Sequence, residues 1–179
     1  MLQQLLQERH EEILERWLEL ILQTYPEAST KFLERTNDQF GNPVGHTLKN
    51  VTEQVFRGLL RQAGTEELGP VLEQAVRVRA VQDFSPSQAV LFVFLLKKSL
   101  REILADHMSA EGVATELLTF EVEIDRLVMV AFDLYMESRQ RLFDIRVNEI
   151  RNRTRMLEER LNRTEAAASA ERGNSNDDQ

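Results

Sequence analysis

The residue in this chain whose type and position most invite chemistry is Arg79. Leu68, Leu72 and Ala75 recur at helical spacing with Val76 beside them, and the next position on that apolar stripe is Arg79. A guanidinium taken out of water costs several kcal/mol unless an anion meets it. Two kinds of anion stay open. One is a protein carboxylate, with Asp83 one turn on and Glu121 or Asp125 available from a later helix. The other is an anionic ligand held in a pocket. The ion pair is the commoner arrangement, and the ligand is the functional one.

The three histidines, His10, His46 and His107, form no Glu-x-x-His pair and no His-Glu-x-x-His zinc helix. His46 lies about 160° around its helix from the apolar side chains and shares that polar side with Asn50. A solvated histidine near a helix start is the plain reading, and a ligand-facing or partner-facing side is the alternative. Haem ligation would need a second wall closing over it. Glu121 and Asp125 share a helix face, yet two carboxylates without a cleft make an ion-paired flank rather than an acid–base site. Cysteine is absent, which removes thiolate chemistry and cysteine-built metal cages. The seven glycines form no phosphate loop. Every enzymatic scheme lacks a necessary part, so the expectation is a non-enzyme, without metal or cofactor. The ligand or partner candidates are Arg79, His46, Asn50 and Asp83.

The elements that must position these residues are helical throughout. Leu2, Leu5, Leu6, Ile13, Leu14, Trp17, Leu18, Ile21 and Tyr25 predict one helix closed by Pro26. Asn42 and Pro43 supply a cap and a first turn for a helix carrying Val44, Leu48, Val51, Val55 and Leu59. Thr65 can cap the helix that carries Arg79. Ser85, Pro86 and Gln88 spell a capping box, with Phe84 placed as a staple on Ala89. The run Ala89–Leu96 is apolar on all sides, which predicts a central buried helix. It is far too short for the ~20 residues of a membrane span.

From Val113 to Arg172 neither Gly nor Pro intervenes. Leu117, Phe120, Ile124, Leu127, Ala131 and Leu134 form one stripe, and Val147, Ile150, Thr154, Leu157 and Leu161 form a second, out of phase with it. A continuous helix over 114–163 would run ~75 Å. Its distal part must then be exposed or paired, and the phase change near Ser138–Phe143 marks where the helix turns towards a partner.

The net charge of −8 is uneven. Residues 139–163 hold eight arginines against four acids, inside an otherwise acidic chain. Acidic flanks repel phosphates, so these arginines read as a solvated helix face rather than a nucleic-acid surface. No signal peptide is legible at the N-terminus, which favours the cytoplasm.

The stretches FLERTNDQFGNPVGHTL (32–48) and RVRAVQDFSPSQAV (77–90) resemble the N-terminal domain family called RsbRD, named from co-antagonists of the bacterial stress sigma-B pathway. MESRQRLFDIR (136–146) resembles the exit helix of such proteins. The resemblance implies a sensory or regulatory input domain that commonly precedes a histidine kinase or a sulfate-transporter/anti-sigma-antagonist module. It also implies dimerisation through helices, and a related class adopts a haem-free globin-like fold. No output module is legible after Arg163, so output through a separate protein is expected.

Residues and resemblance together predict an all-α chain: a compact helical bundle, globin-like if the related class is a guide, with a long C-terminal helix projecting from it. Residues 1–140 form the regulatory body, 141–163 an exit helix with a coiled-coil-like seam, and 164–179 a disordered tail. The expected function is signal transduction by homodimerisation and binding of a separate protein, with no nucleic acid and no membrane insertion. The alternatives are a sensor of a small ligand or cofactor (haem or an anion), or an adaptor docking on a larger redox or membrane complex.

Overall fold

The computed structural model describes residues 1–26, 41–82 and 84–174, with side chains through Thr164. Among these residues the regular elements are all helical: α1 (Leu2–Glu8), α2 (His10–Leu22), α3 (Pro43–Leu60), α4 (Thr65–Val81), α5 (Pro86–Ile103), a short 3₁₀ turn (Ala105–His107) and α6 (Val113–Asn174). The chain divides into two units, Met1–Ser138 and a second from Arg139 onward.

Start signals in the sequence act as expected at two helices. The Asn42 side chain accepts from Gly45 N at 2.9 Å, and Pro43 opens α3. At α5 the Ser85 and Gln88 side chains exchange bonds with each other's backbone, completing the capping box. Two expectations are corrected. Gly64, not Thr65, occupies the cap of α4, and no side chain bonds the first turn there. The helix expected to run unbroken from Leu2 is interrupted at Arg9, although the bonds Arg9 N to Leu5 O and Ile13 N to Arg9 O carry the ladder through. Arg9 adopts φ −100°, ψ 17°, a local bend with the hydrogen bonds kept.

In the first unit the core is built where α2 packs on α5, α3 on α4, α2 on α3 and α4 on α5. Trp17 and Ser99 stitch the first of these crossings. The Trp17 indole donates to Phe92 O at 2.6 Å, and the Ser99 hydroxyl donates to Ile13 O at 2.8 Å, all within a solvent-free interior. Each bond satisfies a polar atom that would otherwise be stranded in the core. Gly58 lets α3 and α4 approach closely: a Cβ there would stand 2.4 Å from Leu68 Cδ2.

The predicted stripe of α6 faces this core, with Leu117, Ile124, Leu127 and Ala131 all buried. Helix α5, by contrast, is not buried all round. Val93 and Leu96 are enclosed, but Phe94 is 43% exposed and Lys98 faces solvent. A run of apolar residues cannot say which side has a neighbour.

In the second unit α6 continues through Arg163 to Asn174, so the residues expected as a tail from Thr164 are helical that far. Its side chains from Arg139 to Thr164 are exposed or half-exposed.

Candidate functional site

Arg79 sits where its stripe places it, with no exposure at all. Its Nη1 donates to Gln88 O in the first turn of α5 at 2.8 Å, and its Nη2 donates to the Thr24 hydroxyl beyond α2 at 3.0 Å. The rings of Phe84, Tyr25 and Phe92 surround the guanidinium carbon at 4.8, 5.1 and 5.5 Å. Nε has no hydrogen-bond partner among the described residues. Three π faces and two acceptors partly replace water around the cation. Burial pushes the Arg79 pKa down from its ordinary value, with the neighbouring Tyr25 acting against that shift. Burial likewise raises the Tyr25 pKa, with Arg79 opposing.

The carboxylates expected from α6 are spent elsewhere. Glu121, 4% exposed, takes a two-pronged bond from Arg101 Nε and Nη2, both at 2.7 Å. Asp125 is held by Lys97 Nζ at 2.8 and 2.9 Å. Both cations come from α5, so the Glu121–Asp125 face is an ion-paired seam between α5 and α6. Asp83 lies outside the described residues. Among the described residues no carboxylate forms an ion pair with Arg79.

His46 and Asn50 are brought together, one turn apart on α3. Asn50 Nδ2 lies 2.9 Å from His46 Nε2, and both side chains are half-buried. The Arg79 cluster is built from Thr24, Tyr25, Phe84, Gln88 and Phe92, on other elements than this pair. No group of three or more metal-ligating side chains occurs among the described residues.

A feature that sequence reasoning missed is a groove of about 470 Å³ between α1, the end of α3 and the first turns of α6. Leu2, Leu6, Leu59 and Phe120 line it, and Glu116 and Glu123 stand on its rim. Gln62 at its edge holds φ 58°, the left-handed region that a non-glycine residue adopts at a cost. Glu116 accepts from the Leu2 amide at 2.7 Å and from the terminal amine at 3.3 Å. These two donors, the amide first, hold its pKa below the ordinary value. No local motif announces a groove formed by three separated segments.

In the second unit the seam residues lie on one exposed helix. Ile150, Leu157 and Leu161 are 64, 59 and 62% exposed, Val147 is half-exposed and Thr154 is exposed. Phe143, 61% exposed, stands four residues before Val147 and extends the same line. The spacing of three and four is legible in the sequence, and Phe143, at the phase change, falls on the same line by that spacing.

The described residues thus give a helical body that encloses a cation, followed by a helix with an exposed apolar line. The family model for the RsbT co-antagonist protein rsbRD N-terminal domain matches residues 11–150. The chain belongs to this family of regulatory co-antagonist domains. Neither the curated proteins nor the solved structures contain a match to it. Among the described residues no helix is long and apolar enough to cross a membrane.

Proposed function

We propose that this domain is a non-enzymatic, cytoplasmic signal-transduction input module of bacterial stress regulation. It acts by helix-mediated dimerisation and by binding a separate protein. The observation that carries this reading is the line Phe143, Val147, Ile150, Leu157 and Leu161 on a helix otherwise rich in charge. Large apolar side chains repeated at three and four residues gain about 25 cal/mol per Å² when a second helix covers them.

A change in the body reaches this seam through α6. Arg79 and Phe84 join α4 and the start of α5, and Tyr135 ties α6 to the same point through Phe84 O. A shift or rotation of α6 at Ser138–Phe143 then alters pairing of the seam. Carboxylates at Ile150 and Leu157 test the reading. The double variant is expected to stay monomeric and to lose amide protection over 143–161, with the body's protection unchanged. Unaltered association of that variant counts against the proposal.

Small-ligand sensing is a second reading, favoured by an Arg79 Nε that meets no partner among the described residues and by the Leu2–Phe120 groove. Native mass spectrometry separates the two: a retained small molecule whose loss follows Arg79→Met supports sensing at the guanidinium.

A further inference from the structure

The spacing of the seam fixes its heptad positions. Val147, Thr154 and Leu161 occupy the a positions, and Phe143, Ile150 and Leu157 the d positions, because each a is followed by a d after three residues. Thr154 is the one polar member, and its hydroxyl is already bonded to Ile150 O at 3.0 Å, so it carries no stranded donor into an interface.

The same assignment places Arg139, Arg146, Arg153 and Arg160 at successive g positions. Asp144, Arg151 and Glu158 fall at successive e positions. Side chains at g and e flank the apolar line and set the choice and direction of a partner helix. On the outer face Arg155 and Glu159 pair within the chain at 3.7 Å. The flanking Arg153 and Glu158, five residues apart, meet no opposite charge within their own chain among the described residues.

Two copies running in the same direction and in register set each g residue against the e residue five positions later in the other chain. Arg139 then meets Asp144, and Arg153 meets Glu158, each pair occurring twice. Arg146 against Arg151 is the single mismatch. Two copies running in opposite directions set g against g, and every such contact is arginine on arginine. Charge complementarity therefore favours the first arrangement and opposes the second.

We propose that the occupant of the seam is a second copy of this chain, lying parallel and in register, with Arg139–Asp144 and Arg153–Glu158 as its cross-chain pairs. The inference rests on the seam reading above and adds direction, register and a pairing code to it. Arg146 facing Arg151 is a repulsive layer that weakens this arrangement without reversing the preference.

The native chain contains no cysteine, so a single introduced thiol reports on its own position alone. In the full chain, Phe143→Cys and Leu161→Cys are each oxidised alone and as a mixture, with sedimentation measured in parallel. The two positions are about 27 Å apart along the helix, far beyond disulfide reach. Self-linked dimers of each variant, with little 143-to-161 product in the mixture, are expected. Helices running in opposite directions pack d against a and would set Phe143 opposite Leu161, so a dimer by sedimentation that links mainly 143 to 161 overturns the parallel register and leaves the seam standing. A monomer in both reduced variants, with the native chain also monomeric, overturns the seam itself. As a second readout, Glu158→Arg weakens dimerisation roughly fivefold and Arg153→Glu added to it restores affinity, whereas Arg151→Glu alone tightens the dimer by a similar factor. Absence of the restoration overturns the pairing code.

Discussion

The Tyr135 hydroxyl donates to the backbone carbonyl of Phe84, the residue whose ring closes over the Arg79 guanidinium. Tyr135 is 2% exposed and lies on α6, while Phe84 stands in the turn between α4 and α5. The Phe84 amide in turn donates to Arg79 O at 3.4 Å. One residue thus touches the buried cation with its ring and both α4 and α6 with its backbone. Tyr135→Phe keeps the ring and deletes the bond, which leaves a half-buried carbonyl less well satisfied. A loss of about 1 kcal/mol is expected in urea unfolding, with faster amide exchange around residue 84.

Arg79 separates stability from use. A buried charge that meets no carboxylate among the described residues is poorly compensated even among aromatic faces, so Arg79→Met should be neutral or stabilising by up to about 2 kcal/mol. Arg79→Lys should destabilise, because an ammonium cannot serve Gln88 O and Thr24 together in the planar fork. Thermal unfolding of the two variants checks the order. A stable Arg79→Met chain with altered association would locate the functional value of the cation.

The contact of α3 with α4 gives a prediction that propensity alone would reverse. Gly58→Ala in a helix interior should gain about 1 kcal/mol. Here its Cβ would meet Leu68, which is 1% exposed, so overpacking prevails and a net loss of about 1–2 kcal/mol is expected. Combining it with Leu68→Val should recover most of the loss. Gly64→Asp, at the uncapped start of α4 where nothing crowds a new side chain, should stabilise by a few tenths of a kcal/mol. Urea midpoints measure all three.

Acid should loosen the N-terminal region before it unfolds the core. The pKa values of Glu116 and Glu102 are lowered in the folded state, Glu116 first by the Leu2 amide and Glu102 first by Arg16. A lowered folded value means stability fully present above the unfolded value of 4.5 and lost as pH falls through the folded one. Exchange protection of α1 should therefore fall as the pH drops from about 5 to about 3. Glu116→Gln should flatten that dependence by weakening the hold on Leu2 throughout.

Much of this fold was legible because its signals are local. Asn42–Pro43 and Ser85–Pro86–Gln88 each place an acceptor beside the amides it serves, so the starts of α3 and α5 could be read directly. The burial of Arg79 followed from the stripe that contains it, and the ladder from Leu117 to Ala131 from its period. What could not be read depends on distant partners. Whether Glu121 met Arg79 or Arg101 depended on which side of α5 faced α6, and Phe94 was uncovered for the same reason. The groove beside Gln62 needs three segments at once. Phe143 belonged to the seam by simple counting, but the charges beside it gained meaning only when a and d positions were assigned and a second helix was considered.

The account turns on whether α6 associates through its exposed line. Sedimentation equilibrium of the whole chain over a wide concentration range, beside the Ile150→Glu, Leu157→Glu variant, tests this most directly. The account predicts a reversible rise of the native chain from one-chain to two-chain mass, and a variant that stays at one. A native chain at single mass throughout, or a variant that dimerises equally well, would contradict it.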